Sequence, residues 1–370
     1  MNRRILIIFP DEWLSHSPTI LNLVRILETS FNVNVLALDD GIFSNSDLRD
    51  DRFMFIRINK TLAQTLLRRA RPIYALVKAL LLVLRLNQLI KSRSIDEVIA
   101  VDSVGLWAAQ TVFRQCHFLS LEVKRDLFFS MSDVSRIQSI VIQTRERLNA
   151  LIERSMPNVF FIQNSPAVDR VDISKNLKQR FSGKLVYLGN VIPNHGIYQI
   201  LDAINGDTTG QLTLTLKGVI YKNSVKTAIL SRYSRLIDQG KVVLDETYTD
   251  QANIVNYLTQ FSIGFCFYDF NLISKNDFNY LSSPSGKLFN YYAAGVPVIG
   301  TDVLGLSSVH EFNTGILIKE LSVGYILAAI KRIINNYEEL SRNCIRAARH
   351  FDFGEAAASY KEFLQSCGTG

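Results

Sequence analysis

The feature that most constrains this chain is an alternation of short, fully apolar runs with helical segments, and it occurs twice. In the first half, the strand expected at 4–9 holds the continuous apolar run ILIIF, the pattern of a parallel strand buried on both faces. A loop over 10–18 (PDEWLSHSP) leads to a helix over 19–29. Further strands are expected at 32–38, 53–58, 97–101, 116–123, 139–143 and 159–163, with a helix over 145–154. The pattern restarts near residue 180, with strands at 184–188, 212–217, 241–244, 263–268 and 298–300 and helices at 197–204, 228–239 and 254–260. Repeated β-α units with short links imply parallel sheets covered by helices on both faces. The fold class expected is α/β, with two Rossmann-like, doubly wound domains. We place them at 1–170 and 180–354, joined by a polar, irregular linker over 167–181. The last helix, from residue 355 on, is expected to cross back to the first domain.

Size and composition agree with two domains. A chain of 370 residues is too long for one ordinary core, and 48% hydrophobic with 20% charged residues is globular composition. The four cysteines, Cys116, Cys266, Cys344 and Cys367, show no paired or metal-ligand spacing, as expected of free thiols in a reducing cytoplasm. The opening MNRRILIIFPDEW has too short an apolar run for a signal peptide and is expected to be the first strand.

The formal net charge is +7, which suits nucleic acid, a membrane surface or an anionic small molecule. Its distribution narrows the choice. Residues 52–95 carry no acidic group and ten cations: Arg52, Arg57, Lys60, Arg68, Arg69, Arg71, Lys78, Arg85, Lys91 and Arg93. On a helix, Arg71, Lys78 and Arg85 recur every seven residues as one stripe, with Leu82 and Leu89 among the cations and Ile73, Leu76, Leu80 and Leu84 opposite. Charge interrupts the segment too often for it to span a bilayer. The cationic stripe is expected to lie on anionic lipid; the alternative is a core-packing helix with a solvated charged face. No nucleic-acid motif accompanies the patch, so no nucleic-acid partner is expected.

In a doubly wound sheet, ligands collect at the carboxyl ends of strands, near helix N-termini. Three loops of the second half qualify. In YLGNVIPNHG, Gly189 turns the chain after a strand, followed by Asn190 and, before a helix, by His195. In TLKG, Lys217 stands at a strand end. In SPSGKLFNYYAAGVPVIGTD, Ser285 and Gly286 open a helix whose first amides and macrodipole favour a phosphate. Lys287 adds a point charge, and Gly295 and Pro297 end the helix. The upstream glycine of a Walker A loop is missing.

These segments, with the following VLGLSSVHEFNTGILI, resemble the donor half of a GT-B glycosyltransferase, closest to the retaining enzymes of family 4. The match covers 184–320 well and the first half only by pattern. The resemblance implies two domains facing across a cleft, a nucleotide-sugar on the C-terminal one, an acceptor on the N-terminal one, and no metal. It places the diphosphate by Gly189, Lys217 and the helix start at Ser285, Gly286 and Lys287. The family usually has a Glu at Asn290, which holds the donor ribose; Asn can still hydrogen-bond two hydroxyls, without charge. The partner Glu would fall at Ser282, and the usual basic pair is Asn194-His195 here. The family's nucleotide preference therefore does not carry across. Tyr268 and Phe270 are candidates to pack against the base or sugar.

On the acceptor side the candidates are His16 in the first loop and Asp102 and Glu122 at strand ends, where a carboxylate can orient or deprotonate a hydroxyl. A retaining enzyme can instead let the leaving phosphate take the proton. The expected function is transfer of a sugar from a nucleotide-sugar to a glycan or lipid-linked acceptor in bacterial surface-polysaccharide assembly. The expected place is the cytoplasm, at the inner face of the membrane. A GT-B nucleotide-sugar epimerase and a catalytically degenerate binding or membrane-associated subunit are the rival readings.

Overall fold

The computed structural model describes residues 3–367 apart from 40–47, 49, 60, 62, 64, 66–69, 169–172, 178 and 251–252. Lys60, Arg68 and Arg69 of the basic stretch, and part of the segment expected as a linker, fall outside the described residues. Two compact units are present: Met1–Gln163 with Phe353–Gly370, and Asn164–Asp352.

The first unit holds a seven-stranded sheet in the order β3-β2-β1-β4-β5-β6-β7. The strands are β1 (Arg4–Phe9), β2 (Asn32–Asp39), β3 (Phe53–Arg57), β4 (Glu97–Val101), β5 (Cys116–Leu119), β6 (Ile137–Ile142) and β7 (Val159–Phe161). All its pairings are parallel. Every residue of β4 is buried, as helices on both faces require. The order reverses between β1 and β4, so the loops after those strands flank the switch point where such sheets take ligands. β5 stops at Leu119, short of the expected 123, because the amides of Leu121 and Glu122 bond to the Asp102 carboxylate instead of a neighbouring strand. The last helix, Phe353–Ser366, belongs to this unit. Its Tyr360 is fully buried, with its ring 5.0 Å from that of Phe160, and Arg3 Nη1 donates to the Leu364 carbonyl at 2.6 Å.

The helix Arg71–Ser92 overturns the face assignment made from sequence. It buries Tyr74, Lys78, Leu82, Leu86 and Leu89, spaced three and four residues apart as one helix face, together with Ala79. Lys78 is therefore not part of a solvent-facing cationic stripe. Its ammonium lies 2.5 Å from Asp11 Oδ1 and 3.7 Å from Glu12 Oε1, in the loop after β1. Tyr74 donates its hydroxyl proton to the same Glu12 at 2.5 Å. Ile73, Leu76, Leu80 and Leu84 are exposed rather than core-facing. The helix is also long and apolar enough, by length and composition alone, to cross a membrane, contrary to the expectation from its charge spacing.

The second unit repeats the architecture with six parallel strands in the order β10-β9-β8-β11-β12-β13. They are β8 (Lys184–Leu188), β9 (Thr213–Lys217), β10 (Val242–Asp245), β11 (Ile263–Cys266), β12 (Val298–Thr301) and β13 (Gly315–Ile318). The reversal lies between β8 and β11. One core packs under the helices Ile197–Asn205 and Val323–Asn335, the other under Gly286–Ala293 and Tyr337–His350. The expected single helix at 228–239 is two, Asn223–Arg232 and Ser234–Asp238, broken at Tyr233. Tyr233 leaves helical geometry and donates its hydroxyl to Asp202 at 2.7 Å.

Candidate functional site

At the switch point of the second unit, the helix Gly286–Ala293 is held by a buried tyrosine: the Tyr291 hydroxyl accepts the Leu188 amide at 2.9 Å, at the end of β8. This docking sets the helix start beside the turn that follows β8. Ser285 is the N-cap, in extended geometry, and its side chain makes no capping bond. Leu288 donates back to the Ser285 carbonyl at 2.9 Å. Among the described residues, the Gly286 and Lys287 amides have no acceptor, and the first turn has no acidic residue. A helix start in this condition lacks the caps that normally satisfy it. A Cβ on Gly286 would stand 2.7 Å from Asn164 Nδ2, so the glycine admits that side chain against the helix start.

Lys287 reaches toward the β8 turn. Its ammonium lies 4.5 Å from the centroid of the Tyr187 ring and donates to the Tyr187 hydroxyl at 3.3 Å. No carboxylate pairs with it among the described residues. Burial pushes its pKa down to about 8, against an ordinary 10.5. The turn itself is built to come close. Gly189 has φ +117, and a Cβ there would stand 3.7 Å from Lys287 Nζ. Gly218, at φ +145, stacks beneath it, where a Cβ would lie 2.0 Å from the Gly189 carbonyl oxygen.

Tyr187 links this ammonium to His195. The Tyr187 hydroxyl donates to the Asn190 carbonyl at 2.7 Å and lies 2.6 Å from His195 Nδ1. A hydroxyl has one proton, so a consistent assignment puts the His195 proton on Nδ1 and leaves Nε2 as an acceptor. Burial first, and the Lys287 charge second, push the His195 pKa down to about 3. His195 is therefore a neutral hydrogen-bonding group at pH 7. The loop after β11 holds it: Asp269 donates its amide to the Asn194 carbonyl at 2.8 Å, and Tyr268 packs edge-on to His195 with centroids 6.0 Å apart. Phe270 packs against the core next to the helix Gly286–Ala293.

Asn290 stands one turn into that helix, on the same side as Gly286. Its amide nitrogen donates to the Gly286 carbonyl at 3.2 Å, while its Oδ1 is buried with no partner among the described residues. A buried acceptor without a donor is costly, and such groups mark places where a ligand donor fits.

Lys217 departs from expectation. Its ammonium donates to Asp245 Oδ1 at 2.9 Å, to the Thr247 carbonyl at 2.7 Å and to Thr247 Oγ1 at 2.8 Å. Those three bonds use its three hydrogens, and the Tyr257 ring stacks on it with the ammonium 4.7 Å from the centroid. It braces the end of β9 against the end of β10 and has no donor left for a phosphate.

In the first unit, Asp102 directly follows β4 at φ +51, a left-handed conformation costly for a residue with a Cβ. Its Oδ1 accepts the amides of Leu121 at 2.8 Å and Glu122 at 3.0 Å. Burial, with the nearby Glu122 and Asp11 charges added, pushes its pKa up to about 7. Glu122 is exposed and pairs with Lys124. His16 is exposed, its Nδ1 3.0 Å from the Ser15 hydroxyl. Arg71 and Arg85 are exposed on the long helix. Sequence reasoning missed Tyr187, which reads as an ordinary core residue of KLVYL, and Asp11 and Glu12, whose partners lie far along the chain.

No family model matches the chain, and no curated protein matches it. Solved structures do. A glycosyltransferase from Rickettsia africae superposes with a TM-score of 0.70 at 12% identity, covering 100% of both chains. An α,α-trehalose 6-phosphate synthase from Burkholderia multivorans gives 0.67 at 10% identity, covering 99% of each. A sucrose-phosphate synthase from Thermosynechococcus elongatus gives 0.66 at 12%, covering 99% of each. At these identities the likeness is one of fold: the chain has two Rossmann-like units of the GT-B fold.

Proposed function

We propose that this protein is a glycosyltransferase. It moves a sugar, with retention, from a nucleotide-sugar to a glycan or lipid-linked acceptor in bacterial surface-polysaccharide assembly. It works on the cytoplasmic side, at an anionic membrane surface. The observation that carries the reading is Lys287: a largely buried ammonium that has, among the described residues, no carboxylate partner, beside two helix-start amides that have no acceptor there. Such a cation is unfavourable unless an anion completes it. A diphosphate supplies that anion, taking the Gly286 and Lys287 amides and the ammonium together.

In this reading the Asn290 Oδ1 accepts from a donor hydroxyl, and His195 Nε2 accepts from another. The sugar C1–O bond to the diphosphate breaks as the acceptor oxygen bonds to C1. The leaving diphosphate gains charge, which the ammonium and amides stabilise more than they stabilise the ground state. The acceptor proton passes to the leaving phosphate. Asp102 keeps the acceptor-side role over Glu122 and His16, since those two are exposed. Lys217 is left a bracing role.

The test is incubation with a panel of nucleotide-sugars and measurement of released nucleotide. Slow release from one donor without added acceptor, accelerated by a glycan or lipid-linked acceptor, supports a transferase. No release from any donor, with no nucleotide raising the melting temperature, would leave a non-catalytic protein.

A further inference from the structure

The helix Arg71–Ser92 leaves one face without a partner among the described residues. Ile73, Leu76, Leu80 and Leu84 are 54%, 47%, 48% and 62% exposed. They follow one another at three and four residues, so they form a single ridge. The opposite face is committed to the first unit through Leu82, Leu86 and Leu89 and through the ion pair of Lys78 with Asp11. We infer that this ridge docks in the plane of an anionic lipid surface, its leucines entering the boundary between headgroups and acyl chains. The inference rests on the membrane association proposed above and names the face responsible.

Charge identifies the occupant. The helix carries no acidic residue, and Arg71, Arg85, Lys91 and Arg93 are exposed at its ends and flank. Long basic side chains around an apolar ridge keep their charges at headgroup level while the ridge inserts. A second copy of this chain would bring the same cations against each other. Crossing the bilayer would require pulling Lys78 and three core leucines out of the first unit. The expected cationic stripe is thereby replaced: the lipid contact is apolar, and the cations attract and orient.

The experiment is sedimentation with phosphatidylcholine vesicles, with and without phosphatidylglycerol, together with the molar mass in solution. Wild type should bind only the anionic vesicles. The variant L76Q/L80Q/L84Q, polar changes on an exposed helix face, should keep its melting temperature and bind about a hundredfold more weakly. R71Q/R85Q/K91Q should weaken binding at low salt and converge with wild type at high salt. If wild type binds and the leucine variant binds equally, the inference is wrong while membrane association stands. If wild type binds neither vesicle, both fall. If the leucine variant instead turns a dimer into a monomer, the ridge is an interface between copies and the inference is overturned.

Discussion

Lys287→Met separates stability from binding in a way few substitutions do. The Lys287 pKa falls from 10.5 to about 8 on burial; at about 1.4 kcal/mol per tenfold, that is about 3 kcal/mol of cost carried by the empty site. Partial exposure and the lost contact with the Tyr187 ring, about 1 kcal/mol, reduce the net gain from a neutral side chain of similar length to about 1–2 kcal/mol. For a unit of this size the melting temperature should rise by about 3–6 °C. The sign follows from linkage. The folded state holds the Lys287 proton less tightly than the unfolded chain, so the cost is full below pH 8 and disappears as pH rises toward 10.5. The gap between variant and wild type should narrow over that window. Nucleoside diphosphate affinity should move the other way. One charge-assisted contact is worth about 1.5–3 kcal/mol, so binding weakens by roughly 10- to 150-fold. Differential scanning calorimetry and titration calorimetry read both. A variant that melts lower and binds unchanged would refute the claim that this lysine waits for an anion.

Three further outcomes follow from the same geometry. Nucleotide affinity of the wild type should fall as pH rises past about 8, where Lys287 loses its proton, by up to about tenfold per pH unit; titration calorimetry across that range checks it. For Asp102, a carboxyl raised from 3.8 to about 7 favours the folded state while protonated, so wild-type stability should decline as pH rises from about 4 to 7. Asp102→Asn keeps the left-handed turn and both accepted amides, and should flatten that slope in thermal melts while lowering turnover. Gly218→Ala would place a Cβ 2.0 Å from the Gly189 carbonyl and should cost about 2–4 kcal/mol, with loss of nucleotide binding; urea unfolding measures the first.

The strands were legible because strands buried on both faces read as unbroken apolar runs, and Ser285–Lys287 was legible because a cap, a glycine and a lysine sit together in sequence. What escaped depends on contacts between distant residues. The heptad of Arg71, Lys78 and Arg85 reads as one solvated stripe until Asp11 and Glu12, more than sixty positions away, take Lys78. Lys217 reads as a phosphate ligand until β9 and β10 pair in parallel, which puts Asp245 in register beside it. His195 reads as one more donor-binding candidate, and its neutrality follows from burial and the Lys287 charge, neither visible in sequence. The expected strand at 116–123 ends early because a side chain, Asp102, claims the amides that would have extended it.

A crystal structure with a nucleoside diphosphate that the melting screen selects decides whether Lys287 and its helix start hold a diphosphate. A phosphate oxygen should lie within hydrogen-bonding distance of both the Lys287 ammonium and the Gly286 or Lys287 amide, with a ribose or sugar hydroxyl on Asn290 Oδ1. A diphosphate ordered elsewhere, with Lys287 still resting on Tyr187, would contradict that placement.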